Sequence, residues 1–254
     1  MDAQVERTAL RPLPAGTITT KQAWIWLLAQ CGVGLIVLLC LPRLAQIISL
    51  CSIPLVAAYP FMKRITWWPQ AWLGLTFNWA VLVAYAAKTG MISMPLFVLY
   101  AGLIFWTVGY DTIYACQDIE DDMKIGVKST ARRFGKRVKL GVGICYFLML
   151  LLIHISLDQE TQLIARMINK EGTYFALSMF IVDATLTILP IWILFSIQII
   201  LFKPSDTKRA LKLFKSNCWI ALAIIVTILF YVHSFHQLPD YSNVTIGQHL
   251  FETK

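Results

Sequence analysis

Charged residues are scarce in this sequence. Asp, Glu, Lys and Arg make up only 14% of the 254 residues, whereas hydrophobic residues make up 58%. A soluble globular chain carries about a quarter charged residues. The hydrophobic residues also form long runs, not the short alternating runs of a transmembrane β-barrel. The composition therefore excludes a soluble globular protein and predicts an all-α integral membrane protein.

The cysteines and histidines do not have the spacing that is typical of two common kinds of site. The six cysteines include no CxxC pair, and the four histidines form no HExxH or similar cluster. We therefore expect neither a disulfide framework nor a zinc site. The first 22 residues contain no cleavable signal peptide or amphipathic transit sequence, so the first hydrophobic segment is expected to direct membrane insertion itself. No feature implies a nucleic-acid or protein partner.

Seven hydrophobic segments are each about long enough to cross a membrane. They cover residues 23–41, 44–59, 67–87, 92–115, 140–156, 174–202 and 219–234. If the segments alternate in direction, residues 1–22, 61–66, 116–139 and 203–218 lie on one side. That side holds 17 of the 22 Lys and Arg residues. The positive-inside rule then predicts that this side is cytosolic.

An acidic cluster follows the fourth segment, within residues 110–134. If the helix continues through it, Asp111, Asp118 and Asp122 are spaced at i, i+7 and i+11 and share one face. Asp118 and Asp122 would repel each other unless a cation lies between them or the region is well solvated. Carboxylate oxygens suit Mg²⁺, which usually takes one or two protein carboxylates and completes its shell with water and phosphate oxygens. The pattern predicts a magnesium site.

A basic run follows the acids directly and favours a diphosphate ligand. It contains Lys124, Lys128, Arg132, Arg133, Lys136 and Arg137. The alternative is a solvated loop at the membrane surface. Asp111 favours a functional site, because it lies inside a hydrophobic segment, where burying an ionisable residue costs free energy.

Other polar residues have two interpretations each. Lys63 and Arg64 beside Trp67 and Trp68 form either an orientation anchor or a clamp on a diphosphate. Arg11, held extended by the following proline, could present its guanidinium at the membrane surface. Asn78 could join two helices by hydrogen bonds or could hold a metal ligand or a substrate oxygen.

The acidic segment resembles the second aspartate-rich motif of the UbiA superfamily of membrane prenyltransferases. It reads YDTIYACQDIEDD at residues 110–122 and GVKSTA at residues 126–131. Matching pieces occur in the family's order, namely ERT and RPL at 6–13, YP and KR at 59–64, PQ at 69–70 and FKSN at 214–217. The likeness covers almost the whole chain. It is greatest to 4-hydroxybenzoate polyprenyltransferases and to fungal enzymes that prenylate aromatic polyketides in meroterpenoid pathways.

The resemblance implies a UbiA-type helical bundle, with residues 1–254 forming one transmembrane prenyltransferase domain. The family has nine helices and a first motif, NDxxDxxxD, ahead of the ERT segment. Here only Asp2 corresponds to the last aspartate of that motif. We therefore expect about seven spans, with the first two family helices absent. A truncated gene model, an isoform and a relative with impaired activity all remain open.

The implied reaction is a C-prenylation, in which an allylic diphosphate ionises and an electron-rich ring attacks the cation. The resemblance implies Mg²⁺ ligands at Asp118, Asp121, Asp122 and Asp2, and diphosphate partners at Arg11, Lys63, Arg64 and Lys128. Asp118, Asp122, Lys128 and Tyr114 are the expected catalytic residues. Asn78, Tyr110 and Asp111 are expected to line the pocket for the prenyl chain and the aromatic ring. Aromatic faces such as that of Tyr114 would shelter the cation.

The implied substrates are an isoprenoid diphosphate and an aromatic acid, which meet within membrane lipid. Overall likeness favours a farnesyl or longer donor and a meroterpenoid acid, at an internal membrane such as the endoplasmic reticulum. The alternative is 4-hydroxybenzoate with a long polyprenyl donor at the mitochondrial inner membrane.

Two other protein classes are weighed against an aromatic prenyltransferase. A CDP-alcohol phosphotransferase also uses intramembrane aspartates, but its DGxxAR opening is absent. In a transporter or scaffold, Asp111 and Asp183 would be ion-pathway residues. Transporters commonly contain two repeated halves, but the sequence shows no second copy of the acidic stretch.

Overall fold

Every regular element in the part of the chain described by the computed structural model, residues 6–168 and 189–236, is helical. Asp2, Asp183 and part of the sixth predicted segment lie outside these residues. The α-helices are α1 (Glu6–Ala9), α2 (Thr20–Leu39), α3 (Arg43–Cys51), α4 (Ile53–Ala58), α5 (Met62–Ile65), α6 (Pro69–Phe77), α7 (Trp79–Thr89), α8 (Met94–Ala115), α9 (Ile119–Lys124), α10 (Thr130–Phe134), α11 (Val138–Ile168), α12 (Leu189–Leu201) and α13 (Thr207–His236). Short 3₁₀ turns occupy Tyr59–Phe61, Cys116–Asp118 and Gly135–Arg137.

Four helical stretches of the described residues are long and apolar enough to cross a membrane, judged by length and composition. They are Thr20–Leu39, Arg43–Ile65, Met94–Lys124 and Thr130–Gln159. Leu189–Leu201 is a shorter apolar helix. The predicted all-α membrane fold is confirmed, and the number of seven spans stays a prediction.

The third predicted segment is two helices, because the chain breaks at Asn78. This residue ends α6 and precedes α7. Its amide donates to the Gly74 carbonyl at 2.9 Å and, on α8, to the Leu103 carbonyl at 3.2 Å and Thr107 Oγ1 at 2.8 Å. An Asn side chain that takes backbone partners in this way competes with regular helix, which hydrophobicity alone does not predict.

Helix α8 is the centre of the described bundle and packs against α6, α7, α10, α11 and α13. It packs tightly on α11 at Gly109, where an added Cβ would overlap the ring of Tyr146. Tyr146 is fully buried, stacks on Phe195 at 4.1 Å and donates to Gln198 Oε1 at 2.9 Å. The ring is therefore held from two sides, and this contact fixes α8 against α11.

Helix α2 is 20 residues long, yet none of its side chains is buried within the described part of the chain. Thr19 and Gln22 form a capping box at its start. Its apolar side chains extend on all sides, as is typical of a helix that faces hydrocarbon.

Candidate functional site

The carboxyl-terminal end of α8 forms part of a cavity of about 290 Å³. Asp111, Tyr114 and Ala115 lie in the wall, and Asp118 and Asp122 follow them. Segments distant in sequence complete the lining with Thr8, Arg11, Tyr59, Pro60, Lys63, Gln70, Ile125 and Val127. The cavity therefore brings together three carboxylates and two cationic side chains.

The helix type changes twice between the three carboxylates. Helix α8 ends at Ala115, a 3₁₀ turn follows, and Asp122 belongs to the separate short helix α9. The regular α-helix assumed from the spacing of the aspartates is therefore interrupted by a 3₁₀ turn. Asp111, Asp118 and Asp122 nevertheless all line the cavity.

Asp122 is the most enclosed of these acids, with only 1% of its surface exposed. Its Oδ1 lies 3.6 Å from the ammonium of Lys63, whose side chain is 42% exposed. Its Oδ2 is buried and has no hydrogen-bond partner among the described residues. A buried carboxylate oxygen without a donor is costly, so this atom is suited to a cation or to a donor on a ligand.

Four other residues expected at a diphosphate and metal site lie elsewhere or outside the described residues. Asp121 is 3.1 Å from Lys124 in an ion pair and does not line the cavity. Arg64 is exposed on α5. The Lys128 ammonium donates a hydrogen bond to the Ile65 carbonyl at 3.0 Å, and the Lys128 backbone N–H donates one to the Lys63 carbonyl at 2.8 Å. Asp2 is not among the described residues.

Tyr114 belongs to a column of aromatic rings that runs away from the cavity. Its ring lies 4.4 Å from that of Phe214, which lies 5.8 Å from Tyr110. Trp106 lies 6.1 Å from Tyr110 and donates its indole N–H to Asn217 Oδ1 at 3.0 Å. Tyr114 therefore lines the cavity, whereas Tyr110, predicted to line the substrate pocket, lies in the layer behind it. Asn78, expected in the same pocket, bonds across to α8 and does not line this cavity.

Arg132 holds the loop that follows the acidic helix, a role the sequence did not indicate. Its guanidinium donates to the Asp122 carbonyl at 3.1 Å and to the Val127 carbonyl. It also lies over the Trp67 ring, 5.5 Å from the centroid. In the sequence Arg132 is one cation in a basic run, so only its contacts distinguish it. Gly126, with φ of 73°, makes the turn within this loop.

Gln70 is a second residue that sequence reasoning gave no role. It is 2% exposed, lines the cavity, and its Oε1 accepts from the Thr130 backbone N–H at 3.0 Å. Thr130 Oγ1 lies 2.5 Å from Thr112 Oγ1 on α8. The loop is therefore tied to both α6 and α8. Its only signal in the sequence is the PQ pair at residues 69–70.

The chemistry of the cavity suits a hard cation and a polyanion together. Among the described residues, no three His, Cys, Asp or Glu side chains group closely enough to hold a metal alone. Carboxylate oxygens fit Mg²⁺, which commonly shares its shell with phosphate oxygens. The donor oxygens of Asp118 and Asp122, and the orphaned Oδ2 of Asp122 in particular, fit that ion.

Comparison with known proteins connects this cavity to one family. The model of the UbiA prenyltransferase family matches residues 1–220. The mitochondrial 4-hydroxybenzoate polyprenyltransferase of Drosophila melanogaster is 47% identical over 141 residues, which are 55% of this chain and 36% of that protein. The Arabidopsis thaliana protein of the same name is 43% identical over 176 residues, or 68% of this chain and 43% of that protein. The chain thus spans less than half the length of these two relatives.

A bacterial relative and a solved structure match over more of their length. The 4-hydroxybenzoate octaprenyltransferase of Saccharophagus degradans is 35% identical over 229 residues, covering 90% of this chain and 71% of that protein. The apo structure of a UbiA homolog from Aeropyrum pernix K1 matches with a TM-score of 0.60 and 22% identity, over 90% of this chain and 79% of that one. The latter likeness concerns the fold alone.

Proposed function

The chain belongs to the UbiA prenyltransferase family, and we propose that it transfers a prenyl group from an isoprenoid diphosphate to an aromatic acid within the membrane. We also propose that residues 1–254 act as one transmembrane domain. The contacts of α8 with both earlier and later helices support that organisation.

The observation that carries the proposal is the cavity at the end of α8. It places the buried carboxylates Asp118 and Asp122 beside Lys63 and Arg11. Carboxylates and cations facing one small volume suit a diphosphate and its divalent counter-ion. A solvated surface loop, the alternative weighed from the sequence, would not bury Asp122 to 1% exposure.

We propose that Asp118 and Asp122 hold Mg²⁺, with Asp121 and Asp2 as further candidates. Mg²⁺ in this position would act as a Lewis acid toward the diphosphate oxygens as the leaving group departs. Asp121 would act from outside the cavity wall, because it already pairs with Lys124. Asp122 is the strongest candidate ligand of the ion, since its Oδ2 has no hydrogen-bond donor among the described residues.

The cationic residues are proposed to neutralise the departing diphosphate. Lys63 and Arg11 line the cavity and can meet phosphate oxygens directly. Arg64 and Lys128 lie beside this wall, where they raise the positive potential at its edge. Lys128 also fixes the backbone of Lys63 through its N–H, so its proposed contribution to catalysis includes positioning.

The aromatic residues are proposed to protect the allylic cation. Tyr114 presents an aromatic ring in the cavity wall, where the negative face of a ring attracts a cation. Tyr110 supports Tyr114 through Phe214, and Asp111 supplies a further carboxylate in the lining. Asn78 is proposed to shape the prenyl pocket by fixing α6 against α8. Burial in the membrane excludes water from the ionised donor.

The names of the relatives favour 4-hydroxybenzoate as the acceptor and a long polyprenyl diphosphate as the donor. Both the mitochondrial and the bacterial relatives carry 4-hydroxybenzoate in their names. We therefore prefer this pair to the meroterpenoid acid and farnesyl donor that overall sequence likeness suggested. The proposed location moves accordingly from the endoplasmic reticulum to the mitochondrial inner membrane.

The test is a transfer assay on membranes that contain the full chain. They are incubated with Mg²⁺, a donor of farnesyl or octaprenyl length, and either 4-hydroxybenzoate or orsellinic acid. We expect a C-prenylated 4-hydroxybenzoate that requires Mg²⁺ and disappears with EDTA. Prenylation of orsellinic acid alone would refute the acceptor, and no transfer to either acid would refute the enzyme.

A further inference from the structure

Gln70 is the only neutral amide side chain in the described lining of the cavity. Its side chain is buried, with 2% of its surface exposed. Burying a polar side chain costs free energy unless its donors and acceptors have hydrogen-bond partners. One hydrogen bond of its side chain is present among the described residues, from the Thr130 N–H to Oε1 at 3.0 Å. The other half of the amide, the NH₂ group, has no partner there.

The orientation of this amide follows from chemistry. A backbone N–H can only donate, so the atom of Gln70 that meets Thr130 must be the oxygen. The two N–H donors at the other corner of the amide are then left for the cavity that Gln70 lines. The bond to Thr130 also holds the side chain in place before any ligand arrives, which lowers the entropy lost on binding.

We infer that the Gln70 side-chain NH₂ donates a hydrogen bond to an anionic oxygen of the bound substrate. The inference rests on the proposed function and adds a binding residue to it. The oxygen belongs either to the diphosphate or to the carboxylate of the aromatic acid. Lys63 and Arg11 supply charge in the same cavity, whereas the fixed amide supplies direction, because its donors lie in one plane.

Three variants separate ligand binding from a purely structural role. Gln70→Glu keeps an acceptor for Thr130 but replaces the NH₂ by a carboxylate oxygen. Gln22→Glu adds the same charge in the capping box of α2, outside the cavity, and keeps the cap. Thr112→Val removes the other tie to Thr130 and leaves the Gln70 amide intact.

The measurement is calorimetric binding to the purified full chain in neutral-lipid nanodiscs. The probes are inorganic pyrophosphate with Mg²⁺ and, separately, 4-hydroxybenzoate. We expect Gln70→Glu to raise the Kd of one probe by about 10- to 100-fold, the effect of losing a bond to a charged group. The pyrophosphate arm identifies a diphosphate oxygen, and the 4-hydroxybenzoate arm identifies the acceptor carboxylate. Gln22→Glu should change neither Kd more than twofold.

The pH dependence gives a second readout that a structural tie would not produce. A glutamic acid at position 70 regains an O–H donor when protonated. The ratio of the Gln70→Glu Kd to the parent Kd should therefore fall as the pH is lowered from 8 to 6. Should Gln70→Glu fail to fold, judged by its melting temperature, Gln70→Met is compared with Thr112→Val instead.

Unchanged Kd values for both probes in Gln70→Glu would overturn the inference. Equal losses in Gln70→Met and Thr112→Val would also overturn it, because loop anchoring would then explain both. A parent protein that binds pyrophosphate without forming any prenylated product would refute the proposed function, and the Kd comparison would still decide the role of Gln70. A parent that binds neither probe would refute both.

Discussion

Replacing Asp122 by Asn is expected to change activity and stability in opposite directions. Asn keeps the shape of the side chain and removes its charge. Asp122 is 1% exposed, and its Oδ2 lacks a hydrogen-bond partner among the described residues, which costs about 1–3 kcal/mol for a buried polar group. The ion pair with Lys63 at 3.6 Å offsets at most about 1 kcal/mol, because the lysine is 42% exposed. We expect the free energy of unfolding of the substrate-free protein to stay equal or to rise by about 1–2 kcal/mol.

Activity should fall because the same carboxylate is proposed to hold the ion that meets the leaving group. Removing one preorganised electrostatic partner of a transition state typically lowers the rate by about 10²–10³-fold. We expect kcat/KM for prenyl transfer to fall by that factor at saturating Mg²⁺. Glu120→Gln is the matched control, because Glu120 is exposed on the same short helix and should change kcat/KM less than twofold.

Two measurements check this pair of effects. Thermal unfolding in detergent is followed by intrinsic fluorescence, and product formation is followed by chromatography of the prenylated acid. An Asp122→Asn protein that keeps more than a tenth of the parent kcat/KM would refute the assignment of Asp122 to the metal. A melting temperature clearly below that of the parent would refute the argument that the buried charge is costly.

Two further predictions concern packing and the loop. Gly109→Ala should be less stable than Gly143→Ala by about 1–3 kcal/mol in thermal unfolding, because its new Cβ overlaps the buried Tyr146 ring. The Cβ of Gly143→Ala is the control, since it meets its nearest atom at 3.7 Å and both variants gain the same helix propensity. Equal melting temperatures would contradict the packing argument. Arg132→Lys should lower kcat/KM by about 10- to 100-fold, since an ammonium cannot hold both loop carbonyls as a guanidinium does. Arg133→Lys is the control, because Arg133 is exposed. Equal activities of the two variants would refute the role of the loop.

The sequence predicted the helical membrane fold, and six of the 13 residues in the described lining of the cavity are among the site residues expected from the sequence. Long hydrophobic runs decide the fold class, because only helices satisfy their own backbone hydrogen bonds in lipid without a closed barrel. The cavity residues Asp111, Asp118 and Asp122 were identified from their unusual position at the end of such a run. Three of the four segments assigned to the basic side contribute to the cavity, whose cytosolic orientation remains a prediction.

Neighbouring acids could not be distinguished by spacing. Asp121 and Asp122 are adjacent, yet one pairs with Lys124 outside the cavity and the other is buried in its wall. Between the end of α8 and these two acids, the 3₁₀ turn at Cys116–Asp118 interrupts the α-helical period. Helical periodicity assumes a constant rotation per residue, so it cannot predict a local change of helix type.

The roles of Gln70 and Arg132 could not be predicted, because both depend on contacts between segments distant in sequence. Gln70 meets Thr130 across 60 positions of the chain. Arg132 differs from its neighbour Arg133 in the carbonyls it reaches and in its contact with the Trp67 ring. Asn78, in contrast, was given helix joining as one of two interpretations, and its bonds to α8 support that one.

The described lining of the cavity comes entirely from residues 8–127. Helices α11 and α13 pack against α8, and α13 also contacts the Cys116–Asp118 turn and places Phe214 against Tyr114. The earlier part of the chain thus forms the described wall of the cavity, and the later part packs against it. Inherited or engineered changes in the two parts should differ in kind. Changes to the lining residues would alter which molecules are accepted, whereas changes in α11, α12 and α13 would alter how much intact protein accumulates in the membrane.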